Sequence, residues 1–471
     1  MKFAILFVIV AVALAAIVGI GIVKNQPETV ALDSMVGVAD DLLAREEVSP
    51  IVNMLKSGSL YLALSKAEDE NGESVIGNLG AYGKVYFSED AMALENIDFL
   101  YNDFWIYGDA YVSDDIVVIE ESKVLGGAYG SKRNTLAMSF ENSIFAYNSE
   151  SKYAVQDTRT HNTIVNALLA LEDTSFDEDT EALLTKIVPE MWKIVYDNCE
   201  ITTGNAELSL QGNRESVRVI RMIFDAEALS RIVEQLYDYV EASHDIPFFI
   251  RKHDAALALC FGLRDGQTAY TAYMDYLEAF EDELDDICEN IQRSVNGEVE
   301  IKIATPMLQS KLLKLELKYN SDTLFLLDFG KDGLRTTNEI TVQLQDQTFQ
   351  YSIDQNDDDA YKSRFYINES EKMSINVDKS REKFDIKFDA IGNARNITAK
   401  GVYKESTNWA SVQLTKITYS PIMYESERVI KCDIMAILQQ NDTLPTFSAS
   451  YSKFSSITED EVDAWLEKIG S

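Results

Sequence analysis

Two hydrophobic periodicities divide this chain into predicted helices and predicted strands. From residue 30 to residue 55 apolar residues recur at helical spacing, and Ser49-Pro50 is typical of a helix start, with Gly58 ending the second piece. From about residue 60 to residue 119 apolar and polar residues alternate, as in Leu60, Leu62 and Leu64. The pattern predicts two short helices in tandem, followed by an antiparallel meander of four or five strands.

The middle of the chain returns to helical spacing. Helices are predicted from about residue 159 to residue 198, and a hairpin is predicted around Gly212-Asn213. Asp225 is placed to cap an amphipathic helix whose apolar stripe runs from Leu229 to Val240. A later helix, residues 268 to 291, has one apolar side, which includes Met274, and one strongly acidic side.

From residue 299 to about residue 438 the period is two throughout, and a last helix opens at a capping box formed by Thr458 and Glu461. Clean alternation is typical of a broad antiparallel sheet with one packed face and one solvated face. The predicted fold class is α+β, an extended antiparallel β-meander with inserted amphipathic helices. The meander would form a curved sheet or a half-barrel. We expect three regions: an N-terminal segment, 1–24, a helix-plus-meander region, 25–295, and a β-meander with a C-terminal helix, 296–471. The second and third regions could be two domains or could pack together as one.

The first 24 residues contain an unbroken apolar run, Phe3 to Val23, between Lys2 and Lys24. As a helix these 21 residues would reach about 31 Å, which is enough to cross the hydrocarbon core of a bilayer. The run is longer than a usual signal peptide core, although Ala13-Leu14-Ala15 could serve as a cleavage site. We therefore predict a single-pass anchor with the rest of the chain outside the cell. A cleaved signal peptide and a buried core helix are the alternatives.

Charge and cysteine content narrow the partners and the chemistry. The formal net charge of −36 argues against nucleic acid and anionic membrane surfaces as partners. The four cysteines have neither C-x-x-C nor metal-ligand spacing, so buried thiols are expected, with a Cys260–Cys288 disulfide as the alternative.

No catalytic motif accompanies the candidate reactive residues. His244-Asp245 and His253-Asp254 lack a nucleophile context, and exposed or capping histidines are predicted. The glycines of the segment Leu125 to Gly130 are not spaced as a phosphate-binding motif, so a conformational loop is expected. The acidic run 354–359 lacks the glycine and the final glutamate of a calcium loop and is predicted to be a hairpin tip.

Three aromatic residues, Trp105, Tyr107 and Trp409, could line a carbohydrate or acyl pocket, but strand aromatics usually belong to a core, which is the prediction for them. The sequence thus assigns no catalytic residue, no metal ligand and no cofactor, and the ligand-binding residues stay unknown.

Residues 52–58, Val-Asn-Met-Leu-Lys-Ser-Gly, lead from the second helix directly into the strand Leu60 to Leu64. Together with the apolar run, the segment Leu125 to Gly130 and the long meander, this arrangement resembles membrane-anchored extracytoplasmic proteins of gut Firmicutes that carry a domain of unknown function. At the level of architecture it is also similar to the LolA/LolB-type lipoprotein carriers, in which helices line a curved half-barrel sheet that holds acyl chains. The second resemblance implies a lipid or another amphiphile as ligand.

The leading hypothesis is a membrane-tethered, extracytoplasmic, non-enzymatic binding protein whose amphiphilic ligand enters between helix and sheet. One alternative is a cell-surface interaction protein that docks cationic wall polymers or a partner protein through its acidic surface. The other is a carboxylate-based hydrolase, which needs two facing carboxylates.

Overall fold

The computed structural model describes residues 27–45, 48–77, 79–88, 91–101, 104–113, 115–121, 127–263, 267–357, 360–422, 427–447 and 450–469. The predicted anchor, Phe3 to Val23, lies outside these residues, as do Leu125 and Gly126. Within the described ranges no helix is long and apolar enough to cross a membrane.

The described residues form ten α-helices and twenty strands, in the α+β arrangement that the sequence predicts. The helices are α1 (Pro27–Leu43), α2 (Ser49–Lys56), α3 (Leu136–Glu141), α4 (Thr158–Glu172), α5 (Phe176–Asp197), α6 (Ala226–Ala242), α7 (Asp245–Lys252), α8 (Asp254–Phe261), α9 (Ala269–Ser294) and α10 (Glu459–Ile469). The first strands are β1 (Ser57–Glu68), β2 (Leu79–Ser88), β3 (Ala91–Tyr101), β4 (Phe104–Ser113), β5 (Ile116–Glu121), β6 (Gly127–Lys132), β7 (Glu200–Leu210), β8 (Asn213–Phe224), β9 (Val299–Thr305) and β10 (Lys314–Tyr319). The others are β11 (Asp322–Asp328), β12 (Glu339–Leu344), β13 (Gln347–Asp357), β14 (Ala360–Ile367), β15 (Ser370–Asp378), β16 (Lys383–Ile391), β17 (Ala394–Ser406), β18 (Trp409–Pro421), β19 (Arg428–Gln440) and β20 (Ser452–Lys453).

The chain divides into two compact units that do not follow chain order. The first unit contains 27–45, 175–352 and 365–370, and the second contains 48–174, 353–364 and 371–469. This division differs from the boundary after residue 295 that the periodicity suggests. The chain leaves the first unit at residue 45 and returns to it at residue 175.

The first unit is a meander of neighbouring antiparallel strands, β7 to β12 and β13 as far as Ser352, with helices packed on one face. Alternate residues of β8 and β9, among them Ile220, Met222 and Ile303, are fully buried against α6. From α6, Ile232 and Leu236 enter the same cluster, and α1, α5 and α9 contribute further apolar residues. The predicted stripe of α6 is therefore core, as its spacing indicates.

Local signals in the sequence set the ends of these elements. The Asp225 carboxylate accepts a hydrogen bond from the backbone N–H of Ala228 at 2.7 Å, which confirms the predicted cap of α6. At Thr458 and Glu461 the predicted capping box forms, with the Thr458 N–H donating to Glu461 Oε2 at 2.7 Å. The β7–β8 hairpin turns at Gly212, whose positive φ of 82° suits glycine.

The second unit contains a much wider sheet. Its strands are hydrogen-bonded in the order β15, β16, β17, β18, β19, β1, β2, β3, β4, β5, β6, all antiparallel, and β20 pairs in parallel with β6. Strand β1 lies between β19 and β2, so the early meander and the late meander join into one sheet.

Two local predictions were wrong. The predicted loop Leu125 to Gly130 overlaps β6, where Gly130 permits close approach because a Cβ there would meet Val118 and Tyr451 below 3 Å. Trp409 is 38% exposed and does not belong to a core. Helix α2 does start at Ser49-Pro50 as predicted, with Val48 in the cap position.

Two predictions for the α8–α9 region also need correction. Met274 of α9 is 43% exposed rather than part of a buried stripe. All four cysteines are free thiols, so Cys260 and Cys288 form no disulfide. The prediction of burial is right for Cys288 and Cys432, and wrong for Cys260, which is exposed.

Candidate functional site

The second unit carries an extended apolar sheet face, formed by alternate residues of neighbouring strands. Three rows of side chains follow the strand pairing across it. The first row is Ala410, Leu438, Leu60, Val85, Leu94, Ala110 and Ile119. The second row is Val412, Ala436, Leu62, Gly83 and Ile97. The third row is Val377, Phe384, Gly401, Leu414, Ile434, Leu64, Ala81 and Phe99.

We call these three rows the apolar face. Its first row crosses seven strands. At a strand spacing of about 4.8 Å and a row spacing of about 7 Å, the face measures roughly 29 Å by 14 Å.

The apolar face is not covered as a core would be. Leu62 is 50% exposed, Ile119 is 45% exposed and Phe99 is 37% exposed, and most other members are half-buried. Contiguous exposed apolar surface of this extent is uncommon on a soluble protein and usually marks an interaction site.

Helix α2 borders this face at the beginning of β1. Gly58 lies on the same side of β1 as Leu60, and a Cβ on Gly58 would come within 3.0 Å of Met54 backbone atoms. The helix therefore packs closely over the end of the strand, which buries Met54. Its own Ile51 and Leu55 are about half exposed and extend the apolar surface.

The opposite side of the same strands carries internally paired polar groups as well as buried apolar residues. The Tyr86 hydroxyl donates to Glu95 at 2.8 Å, and the Gln413 amide donates to Asp433 at 2.9 Å. Part of this side is buried and not solvated, since Ala93 is 3% exposed and Val118 is 0% exposed.

A serine, a lysine and an aspartate meet at that side, but they are not arranged for nucleophilic catalysis. Ser59 donates to Asp442 at 2.6 Å, and Lys84 pairs with the same carboxylate at 2.6 Å. Burial would lower the pKa of Lys84, but hydrogen bonds to Asp442 and Tyr86 leave this pKa above its ordinary value. Lys84 is thus a cation that holds Asp442, and it has no free electron pair with which to activate Ser59.

At both His-Asp dipeptides the aspartate carboxylate contacts a different residue. Asp245 pairs with Lys186 at 2.5 Å, and Asp254 accepts a hydrogen bond from the Tyr270 N–H. His253 is only 1% exposed, and it occupies the cap position where α7 ends and α8 begins, as the capping alternative of the prediction has it, although its side chain makes no cap hydrogen bond to α8. Its Nε2 contacts Asp179 at 3.0 Å instead.

His253 is held between aromatic rings as well as by Asp179. The Phe249 ring centroid is 4.6 Å away, and Phe176 packs edge-on at 5.3 Å. A hydrogen bond from Lys252 keeps the pKa of Asp179 below its usual value. This packing joins α5 to the α7–α8 turn and leaves the imidazole without access to a substrate.

The other predicted sites are only partly within the described residues. Asp354 of the acidic run pairs with Arg364 at 2.8 Å, and no group of three metal-ligating residues occurs where the chain is described. Tyr107 is half-buried in β4, and the side chain of Trp105 lies outside the described residues.

Sequence reasoning identified many residues of the apolar face, including Leu60, Leu62 and Leu64, but assigned them to packing. The signal that could have separated them is the distribution of helices, since the long amphipathic stripes occur between residues 159 and 291 and few occur near the late strands. Comparisons with known proteins add nothing to this site, because no family model, curated protein or solved structure matches the chain.

Proposed function

We propose that this protein is a membrane-tethered, extracytoplasmic, non-enzymatic binding protein that holds an amphiphile on the apolar face of its second unit. The observation that carries the proposal is the exposure of the three apolar rows. The natural twist of so wide a sheet would give the curved or half-barrel surface that the sequence suggests.

The composition of the face favours acyl chains over a protein partner. Its rows contain leucine, isoleucine, valine, alanine, glycine and two phenylalanines. Protein interfaces are typically enriched in tyrosine, tryptophan and arginine at their energetic centre. Aliphatic rows instead match the chemistry of hydrocarbon chains, and a row of about 29 Å is long enough for an acyl chain that fills one leaflet, about half of a bilayer's hydrocarbon core.

The sequence supplies a source for such a ligand. An anchor at Phe3 to Val23 would place the protein beside a bilayer. The net charge of −36 disfavours anionic headgroups, so the ligand we propose is neutral or zwitterionic.

The proposed position of the ligand differs from the one that the sequence suggests. Between α6 and the sheet of the first unit, the described side chains Ile220, Ile232 and Ile303 are fully buried and pack against one another. This space is filled by the protein's own core, whereas the second unit offers apolar surface directly. Docking through the acidic surface and carboxylate-based hydrolysis stay predictions of the sequence.

Two adjacent residues of β18 provide a matched test. Val412 belongs to the apolar face, and Ser411 faces the other side beside Lys404. We expect the full chain to bind a fluorescent, zwitterionic phosphatidylcholine saturably. Val412→Glu should weaken binding at least about tenfold, because a carboxylate would be desolvated against the acyl chain.

Ser411→Glu adds the same charge to the other side and should change the affinity by less than about twofold. Leu62→Glu serves as a second variant in the same row. Circular dichroism shows whether each variant is folded. Absence of saturable binding, or an equal loss from Ser411→Glu and Val412→Glu, would refute the proposal.

A further inference from the structure

A groove of about 580 Å³ lies on the first unit's sheet, across β7, β8, β9 and β10. Because Ile220, Met222 and Ile303 point into the helix-covered core, the intervening Arg221 and Lys302 lie on the opposite side. The groove is therefore on the sheet surface that faces away from the helices. It is independent of the amphiphile site proposed for the second unit.

Small residues give this groove its depth. Gly204, Ala206 and Ala304 form part of its lining, and they are flanked by long side chains from β8, β9 and β10. A Cβ on Gly204 would meet nothing within 4 Å, so the space above this residue is open. Thr202 adds a hydroxyl group on the groove side of β7, whereas the side chains of Thr203 and Asn205 lie on the other side of that strand, because Thr203 is opposite Ile220.

Cations outnumber carboxylates in the lining. Four positive side chains line the groove, and two carboxylates lie among them: Arg221, Lys302, Lys314 and Lys318, with Glu300 and Glu316. The local sum is four minus two, or +2, on a chain whose formal net charge is −36. Such a reversal of sign focuses a positive potential in the groove.

The pairing of these charges leaves positive groups available to a ligand. Arg221 and Lys302 are direct neighbours across β8 and β9, an arrangement that costs energy unless an anion lies between them. Glu300, whose side chain is 11% exposed, provides that anion through ion pairs with both residues. One carboxylate is thus shared by two cations. Among the described residues, Lys314 makes only a long hydrogen bond of 3.5 Å to the Ser209 carbonyl.

We propose that this groove binds a ligand through an oxyanion, a phosphate or carboxylate group, with Lys314 and Lys302 as its charged partners and Thr202 of β7 supplying a neutral hydrogen bond. Charge complementarity supports the inference. The two carboxylates, Glu300 and Glu316, do not balance the four cations, and a bound carboxylate or phosphate would supply the additional negative charge. The two oxyanion sources differ in charge density, so the test uses one ligand of each.

Isothermal titration calorimetry of the full chain would measure its affinity for tripolyphosphate, as the phosphate ligand, and for trigalacturonate, as the carboxylate ligand. At least one should bind saturably. Lys314→Gln should weaken that binding by about threefold to tenfold, through loss of one charge-assisted contact. Gly204→Leu should weaken it by more than about tenfold, because the new side chain enters the groove without meeting other atoms.

Lys193→Gln is the matched control. Lys193 is exposed on α5, which packs on the other side of the sheet, and its substitution removes the same charge. It should leave the affinity unchanged. Failure of both ligands to bind, or an equal effect of Lys314→Gln and Lys193→Gln, would overturn the proposal. Lys314→Gln decides the outcome if Gly204→Leu does not fold.

Discussion

The two units contain antiparallel meanders with the same alternation of apolar and polar residues, but the apolar residues have different environments. In the first unit Met222 and Ile303 are fully buried beneath helices, whereas in the second unit Leu62 is 50% exposed. Alternation thus predicts that a sheet has an apolar side. Whether that side is core or binding surface depends on whether the chain also supplies helices long enough to cover it.

The largest expected difference between the units is in stability. Leu236→Ala removes a side chain that is 1% exposed, and it should lower the free energy of unfolding by about 3 kcal/mol through the cavity it leaves. Leu62→Ala removes the same atoms from the apolar face and should cost less than about 1 kcal/mol. Urea denaturation of the wild-type protein and both variants measures the two changes in the free energy of unfolding.

These two leucine variants also test the proposed function without a ligand. If Leu62→Ala destabilises the protein as much as Leu236→Ala does, the apolar face is buried in solution and the comparison between the sheets fails. If its cost is small, the face is free to accept a ligand.

Local structure could be predicted well from the sequence, because its causes are local. The Asp225 cap, the Gly212 turn and the stripe of α6 each depend on residues within a few positions of one another. The pairing of β1 with β19 could not be predicted, since it joins Leu60 to Leu438 and no short-range signal specifies that register.

The candidate sites depend on the same long-range pairing. Leu62 and Val412 come into one row only because β19 lies between their strands. The cations of the groove likewise come from β8, β9 and β10, and α6 to α9 separate β8 from β9 in the chain. In both cases the residue types were visible in the sequence, but their proximity follows from the sheet order.

A smaller effect is the pH dependence of stability that arises from Glu300, beside the groove of the first unit. Burial would raise the pKa of Glu300, but hydrogen bonds from Lys302 and Arg221 leave it below its usual value. A carboxyl group with a lower pKa in the folded state stabilises the protein above its unfolded pKa, which is about 4.3. This stabilisation is lost as the pH falls through the folded pKa.

Glu300→Gln should therefore reduce the loss of stability between neutral pH and about pH 3. The measurement is urea denaturation at both pH values. Glu316→Gln is a comparison variant in the same groove, where the carboxylate has one ion pair, with Lys318 at 3.2 Å. An unchanged pH dependence in Glu300→Gln would show that the two cations do not stabilise this carboxylate, and it would weaken the charge argument for the groove.

The smallest expected effect is a difference in thiol reactivity that reports on both units at once. Burial raises the pKa of the Cys288 thiol to about 11 in the first unit, and it also raises the pKa of Cys432 on β19 in the second. Both thiols should react with Ellman's reagent only after unfolding, because the thiolate is the reactive form and both side chains are buried.

Exposed Cys260 should react at once, and Cys260→Ser should remove this fast phase. Rapid labelling of Cys432 but not Cys288 would show that the sheet of the second unit opens more readily than the helix-covered sheet of the first, whereas loss of the Cys260 and Cys288 thiols together would indicate a disulfide between them.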